Sequence, residues 1–435
     1  MRTLWPRSGL WRDPEFLKLW TAQAISQLGT HVTLLALPLA AILVLDATAT
    51  EVALLGAVEV LPFLLFTLPA GVWVDRLPRR PILVVTDLAR AAALASIPFA
   101  YALDGLTLPH LYLVAFTIGV LSVFFDVAYL AYLPSLVERR ELGAANSKLE
   151  ATRSAAQIAG PGVAGVLVEV ITAPVAILVD GVSYLFSALF VWRIERPDRR
   201  EQYVSPRGRL LPQLKEGLSY VLRHPYLRAL TLSTGGWNLC ANIGFGILLV
   251  YIVRTLGLSP AVVGVLIAFG GAGSILGALT AAPIADRFGL GRAMVWPAIV
   301  SSATMFLVPL APRESPEIFL LATMLFGSFF GMVFNVTQLT FRQSITPEHL
   351  QGRMNSVVRF MYWGPQPAGF ALGGVLAAVI GLRPTLFVSA VGSTLVFLPL
   401  LAHPIRKLRE MPETAQEPPP APAVVPIPAA HPPDA

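Results

Sequence analysis

The sequence predicts an all-α membrane protein of twelve transmembrane helices, arranged as two pseudo-symmetric six-helix halves. Three observations predict it. Hydrophobic residues make up 55% of the 435 and charged residues only 13%, about half of the roughly 25% charged content of a soluble domain; the mean hydropathy is +0.66. Apolar runs of the length a bilayer crossing needs, about 20 residues, recur twelve times. Local patterns also return after 209 to 211 residues, as expected of duplicated halves.

In the first half the runs fall at 16–45, 51–74, 81–103, 109–133, 146–170 and 173–193, and in the second at 226–253, 261–285, 293–312, 316–341, 354–380 and 384–403. Charged, proline or glycine breaks bound each one. The basic start, Arg2 to Arg12, precedes a run of about 30 residues without a small-residue cleavage pattern, which is too long for a secretory signal. It is expected to remain as the first span. With these spans, only Arg254, Arg313 and Arg383 of the 32 basic residues lie at external ends. Because positive loops stay cytoplasmic, both termini are expected in the cytoplasm, with the chain crossing a bacterial cytoplasmic membrane many times. The net charge of +6 then reflects topology and attraction to anionic lipid headgroups of the bilayer, and excludes a nucleic-acid partner.

Four units follow: a bundle over 1–194, a linker over 195–223, a second bundle over 224–405 and a tail over 406–435. The linker places Leu210, Leu211, Leu214, Leu218, Val221 and Leu222 at helical spacing, which reads as an amphipathic helix on the cytoplasmic membrane face. Nine prolines in the last 25 residues predict a disordered or polyproline tail.

The duplication is specific. Asp13-Pro14-Glu15-Phe16-Leu17 returns as His224-Pro225-Tyr226-Leu227-Arg228, and Val74-Asp75-Arg76 as Ala285-Asp286-Arg287, both displaced by 211. Gly143-Ala144-Ala145-Asn146-Ser147 pairs with Gly352-Arg353-Met354-Asn355-Ser356, and Gly160 with Gly165-Val166-Leu167 pairs with Gly369 and Gly374-Val375-Leu376, displaced by 209. One two-residue deletion reconciles the shifts. Two halves in parallel orientation are the simplest account.

Enzymatic chemistry finds little support. Cys240 is the one cysteine and none of the four lysines follows a glycine, so disulfides, Cys-x-x-Cys metal sites and a P-loop are absent. Neither a His-Glu-x-x-His nor a Gly-x-Ser-x-Gly motif occurs. No cofactor and no metal are expected.

At the end of the second span stands Gly71-Val72-Trp73-Val74-Asp75-Arg76-Leu77-Pro78-Arg79-Arg80. This resembles the loop motif of the major facilitator superfamily, Gly-x-Leu-Ala-Asp-Arg-x-Gly-Arg-Arg, with Gly71, Asp75, Arg76, Arg79 and Arg80 matching and Trp73 and Pro78 departing. A degenerate copy surrounds Asp286 and Arg287. Gly160-Pro161-Gly162-Val163-Ala164-Gly165 is similar to that superfamily's antiporter signature, with Ala164 in place of a glycine. Phe124-Phe125-Asp126 leading to Leu133-Pro134-Ser135, Lys215-Glu216-Gly217-Leu218 and Leu350-Gln351-Gly352-Arg353-Met354 resemble the branch of macrolide-efflux proteins and the enterobactin exporter. The resemblance spans about residues 12 to 405. The fourth-span arginine of better-known drug exporters has no counterpart, since no arginine lies between Arg90 and Arg139.

The resemblance implies two halves that rock about a central cavity. Gly71 would allow close helix approach, and Asp75 could face a helix N-terminus, whose partial charge favours an anion, in one state but not the other. Gly160, Pro161 and Gly165 would bend or thin the fifth helix for packing. Polar residues inside apolar spans point to the pathway. Gln23, Gln27 and His31 form one stripe on the first helix, and their displaced counterparts are Thr234, Asn238 and Asn242. Asp126 corresponds to Asn335, with Gln338 one turn away. These residues are the cavity candidates. Asp126 lies about 12 Å from Pro134 along its helix, by the helical rise, without an intrahelical partner; it is the leading proton-coupling candidate, with Arg79 or Arg153 as a partner and Glu59 or Asp180 as the next choices. Asp87 and Arg90, three apart, read as a neutralising pair.

The expected function is secondary active export of amphipathic small molecules, drugs or natural products, by a monomer that exchanges them for protons. A narrow siderophore or antibiotic exporter is the alternative within transport. A membrane scaffold or sensor on the same fold, and a membrane enzyme, are the alternatives outside it.

Overall fold

A computed structural model of the chain describes residues 9–74, 76–196 and 210–409. Asp75, the linker over 197–209 and the tail from residue 410 lie outside the described residues. The first half contains α1 (Pro14–Leu43), α2 (Ala49–Val74), α3 (Arg79–Ala102), α4 (Leu108–Leu136), α5 (Leu142–Ile171) and α6 (Ala173–Trp192). The linker helix is α7 (Leu210–Arg223). The second half follows with α8 (Pro225–Val250), α9 (Pro260–Phe288), α10 (Leu290–Thr304) with α11 (Leu307–Leu310), α12 (Pro316–Ser344), α13 (Glu348–Trp363) with α14 (Gln366–Ile380), and α15 (Leu382–Leu395) with α16 (Pro399–Ala402). By length and hydropathy, eleven helical stretches among the described residues can cross a membrane. The remaining crossing is the broken pair α13 and α14, of 16 and 15 residues. The sequence reading drew it as one run over 354–380. Pro365 breaks it, because proline lacks the N–H of an interior helical residue and its ring crowds the carbonyl four residues earlier.

The duplicated sequence signals have duplicated local causes. Asp13 caps α1, accepting from the N–H groups of Glu15 at 3.0 Å and Phe16 at 3.4 Å, while its counterpart His224 caps α8 through Leu227 N–H at 3.4 Å. Pro14 and Pro225 occupy the first helical turn, where a missing N–H costs nothing. The backbone repeats in less visible places too. Asp46 at φ 49° matches Gly257 at φ 71°, displaced by 211, and Thr172 at φ 76° matches Gly381 at φ 88°, displaced by 209.

Within the first half α1 packs on α5 and α6, α3 on α4 and α6, and α2 on α4; in the second, α8 packs on α14 and α15, and α12 on α9 and α10. The halves meet where α5 crosses α9 and α2 crosses α14. Both crossings are backbone-close. A side chain at Gly165 would strike the Pro260 carbonyl, and one at Gly264 the Pro161 carbonyl. At the symmetric crossing, a Cβ on Gly374 would lie 3.0 Å from Thr50 Cα and 3.1 Å from Ala53 Cβ. Small residues are what let membrane helices approach this closely. Large apolar side chains such as Val170, Leu279 and Val379 stay exposed on the outer surface, as lipid contact requires.

The linker helix docks on the second half. Val221 is fully buried against Met354 and Val357, Glu216 pairs with Arg353, and a Cβ on Gly217 would come within 2.9 Å of the Arg353 carbonyl. Thus two motifs far apart in sequence, around Lys215–Leu218 and Leu350–Met354, form one contact. After α16, a short 3-10 turn over Pro404–Lys407 returns the chain to the start of α10. There Gly291 N–H donates to the Leu408 carbonyl at 2.9 Å and Leu290 N–H to that of Arg409 at 3.3 Å.

Candidate functional site

Both described termini lie at one side of the bundle, here the termini side; the other is the far side. On the far side the halves are fastened together. Arg254 at the end of α8 donates to Asp46 at 2.6 Å and to the Ile42 carbonyl at 3.1 Å. The Thr50 hydroxyl donates to the Gly374 carbonyl at 2.8 Å. Glu169 of α5 accepts from the Ser259 hydroxyl at 2.8 Å and the Ala261 N–H at 3.0 Å, so one half caps the first turn of α9 in the other. Deeper in, Phe63 stacks on Trp363 with ring centroids 5.7 Å apart. On the termini side the helices diverge. A Cβ on Gly71 would meet nothing within 4 Å, and Arg76, Arg153, Asp286, Arg287 and Arg359 are exposed. The cavity between the halves is therefore open on the termini side and shut on the far side.

Asp126 faces this space. It is exposed to solvent although it stands ten residues before the end of α4, roughly 15 Å along the helix. The guanidinium groups acting on it are those of Arg90, Arg153 and Arg359. Arg153 was one of the two partners anticipated. Arg359 belongs to α13, so the other half contributes a cation within electrostatic range of this carboxylate.

Asp180 has a different setting. It is 1% exposed inside the first half, where it accepts from the Thr33 hydroxyl at 2.5 Å and Ser183 at 3.0 Å. Next to it, Asp87 and Arg90 form the expected ion pair, and the Arg90 guanidinium lies 4.2 Å from the centroid of Phe125 and 4.1 Å from that of Tyr184. Cation–π contact with two rings and the carboxylate explain how this charge is held in a bundle interior. Phe125, the neighbour of Asp126, gives that motif its structural reason.

The amide stripes are mostly packed away. Gln23 is 6% exposed and its Nε2 has no hydrogen bond among the described residues; Asn238 and Asn242 are 2% and 7% exposed. Asn242 donates to the Asn238 carbonyl at 2.7 Å and Asn238 to that of Thr234 at 3.0 Å, while Gln366 donates to Asn238 Oδ1 at 3.4 Å. Gln27 and His31 are half-buried. A Cβ on Gly160 would run into His31, and one on Gly369 would lie 2.8 Å from Asn242 Cβ. The glycine motif in each half therefore makes room for the polar stripe of its own first helix. Asn335 and Gln338 do share a cavity, of about 290 Å³, with Thr234, Trp237, Phe334 and Tyr362. A second cavity of about 250 Å³ lies where α1, α2, α8, α9 and α14 converge and contains Glu59.

Of the loop motif, Arg80 donates to the Val191 carbonyl at 3.3 Å and to that of Trp192, fastening the end of α6; Arg79 also has a partner. Asp75 lies outside the described residues. No group of three or more potential metal ligands occurs among the described residues.

A family model described as "Transmembrane secretion effector" matches residues 9–427. The chain is 27% identical over 412 residues to the "Multidrug efflux pump Tap" of Mycolicibacterium fortuitum, covering 92% of this chain and 97% of that one. It is 22% identical over 408 residues to "Macrolide efflux protein A" of Streptococcus pyogenes, covering 91% and 97%. Among solved structures, a bacterial homologue of the iron transporter ferroportin in an inward-facing state superposes with a TM-score of 0.70 at 19% identity, over 91% of this chain and 99% of that one. A bacterial homologue of the lysosomal transporter Spinster, inward-facing and unoccupied, gives 0.69 at 13% identity, over 93% and 100%.

Proposed function

Because the chain belongs to the transmembrane secretion effector family of the major facilitator superfamily, we propose that it exports amphipathic small molecules, drugs or natural products, in exchange for protons. The halves alternate access to the cavity between them. The termini side is cytoplasmic, since the basic residues concentrate there, and the structure then corresponds to the inward-open state. A single chain encloses the whole cavity, so a monomer suffices. The export direction rests on the relatives named for multidrug and macrolide efflux.

One observation carries the coupling step: Asp126 is a solvent-reached carboxylate in mid-span, faced by Arg90 and Arg153 of its own half and Arg359 of the other. Rocking the halves changes the distance to Arg359, and with it the cost of a charge on Asp126. Asp126 takes a proton from outside and gives it up inside. Asp180, held by two hydroxyls away from the cavity, is a positioning group for α1 against α6.

The test is export from proteoliposomes driven by an imposed pH gradient, with susceptibility of a pump-deficient strain to a compound panel measured alongside. Wild-type protein should protect against several amphipathic compounds. Asp126→Asn should abolish gradient-driven export while still binding cargo. Uphill, proton-coupled export by Asp126→Asn would remove Asp126 from this role, and protection against a single compound would make the exporter a narrow one.

A further inference from the structure

The cavity around Glu59 carries an unusual combination of groups. Its walls come from both halves: α1 and α2 on one side, α8, α9 and α14 on the other, with Met324 of α12 at its edge. Among its lining residues Glu59 is the one charged group; every other is apolar, glycine or proline. Glu59 has no hydrogen bond or ion pair among the described residues. A carboxylate charge in such surroundings is costly to leave uncompensated, so it is balanced by a proton or by a cation that enters the cavity. Asp87 in the same bundle has its own arginine; Glu59 has none.

The position along the path is also defined. Glu59 lies nine residues from Thr50 on α2, about 13 Å by the helical rise, and Thr50 is one of the far-side fasteners. The cavity therefore sits directly beneath the closed end. It shares Phe245, Leu248 and Met324 with the larger, uncharged cavity that holds Asn335 and Gln338. Phe245 and Phe370 supply aromatic surface, which attracts organic cations.

We propose that the Glu59 cavity is a recognition subsite for the cationic nitrogen or phosphonium of a lipophilic monovalent cation, whose apolar body extends past Phe245 into the larger cavity. The proposal rests on the export reading and names the substrate class: hydrophobic organic cations, including protonated amines. Glu59 determines specificity by charge, whereas Asp126 couples export to protons. Anionic cargo is selected against, because it would place like charge beside an unscreened carboxylate.

Equilibrium binding without any gradient separates this from coupling. Full-length protein in nanodiscs is titrated with tetraphenylphosphonium, a permanent cation, and with the neutral fluorophore N-phenyl-1-naphthylamine, for wild type, Glu59→Gln and Glu59→Asp. The ratio of cation to neutral-probe affinity should fall at least tenfold in Glu59→Gln, about 1.4 kcal/mol, and recover in part in Glu59→Asp. Three results would overturn the subsite: no measurable tetraphenylphosphonium binding by wild type, an unchanged ratio in Glu59→Gln, or equal loss of both probes, which marks a structural role. Wild-type failure to export any compound, with the ratio still falling, would instead count against the export reading alone.

Discussion

Gly165→Ala tests whether the α5–α9 crossing belongs to one conformational state. In the present state the added methyl would collide with the Pro260 carbonyl and lie 3.1 Å from both Ala261 Cα and Gly264 Cα. Backbone atoms cannot swing aside as a side chain can. Overpacking of this kind costs about 1–3 kcal/mol. Once the far side opens, α5 leaves α9 and the methyl meets lipid or water, so the penalty falls on the inward-open state alone. A differential of 1–3 kcal/mol shifts the ratio of states roughly 5- to 150-fold toward outward-open. Spin labels on the far side, at Leu103→Cys and Glu314→Cys in a Cys240→Ala background, would report it as growth of the long-distance population in pulsed dipolar spectroscopy. Glu169→Ala should act in the same direction, through loss of the cap on α9. A folded Gly165→Ala protein with an unchanged distance distribution would mean that the crossing persists in both states, and the gating role of the far-side contacts would fall.

Other expectations can be checked separately. Asp75→Asn should leave the chain folded and inserted but slow export, since the helix-terminus contact that the loop motif implies would bias conformations without touching cargo, and Asp286→Asn should be milder because its motif is degenerate; equal turnover of wild type and Asp75→Asn at matched expression contradicts this. Thr172 holds a β-branched residue at φ 76°, a region that costs about 1–3 kcal/mol outside glycine; after allowing about 0.5–1 kcal/mol for glycine's greater unfolded freedom, Thr172→Gly should stabilise by about 1 kcal/mol and raise the Tm, while Gly381→Ala lowers it. Unchanged melting of both variants would show the turns to be unstrained. A reporter active only in the cytoplasm should give signal when fused after Leu408 and none after Asp46; the opposite pattern reverses the orientation.

Much of the architecture was readable because membrane insertion makes hydropathy and length decisive. The span boundaries agree with the helices to within about six residues, but in the second half the runs over 293–312, 354–380 and 384–403 each hide a break, the one in 354–380 at Pro365. No charged residue stands at the break itself, so the run reads as continuous, although α13 is polar on average and only α14 is strongly apolar. Pair contacts were less legible. The spacing of Asp87 and Arg90 revealed their ion pair, because one helix fixes their geometry. The aromatic rings around Arg90 come from α4 and α6, and Arg359 of the other half acts on Asp126 electrostatically without pairing with it; no local spacing encodes such relations. The polar stripe on the first helix follows from its spacing of four, but periodicity does not reveal that Gly160 of the fifth helix packs against His31. Sequence offers Glu59 only as an alternative proton-coupling carboxylate, because the apolar lining around it comes largely from other helices.

The turn after α16 has a practical consequence. The carbonyls of Leu408 and Arg409 receive the N–H groups of Gly291 and Leu290, so the last described stretch serves as the missing cap of α10. Shortening the chain to residue 405, where the apolar pattern ends, would strip both acceptors from that helix at about 1 kcal/mol each. Affinity tags and protease sites therefore belong after Arg409, where they spare the seam between the last crossing and the ninth.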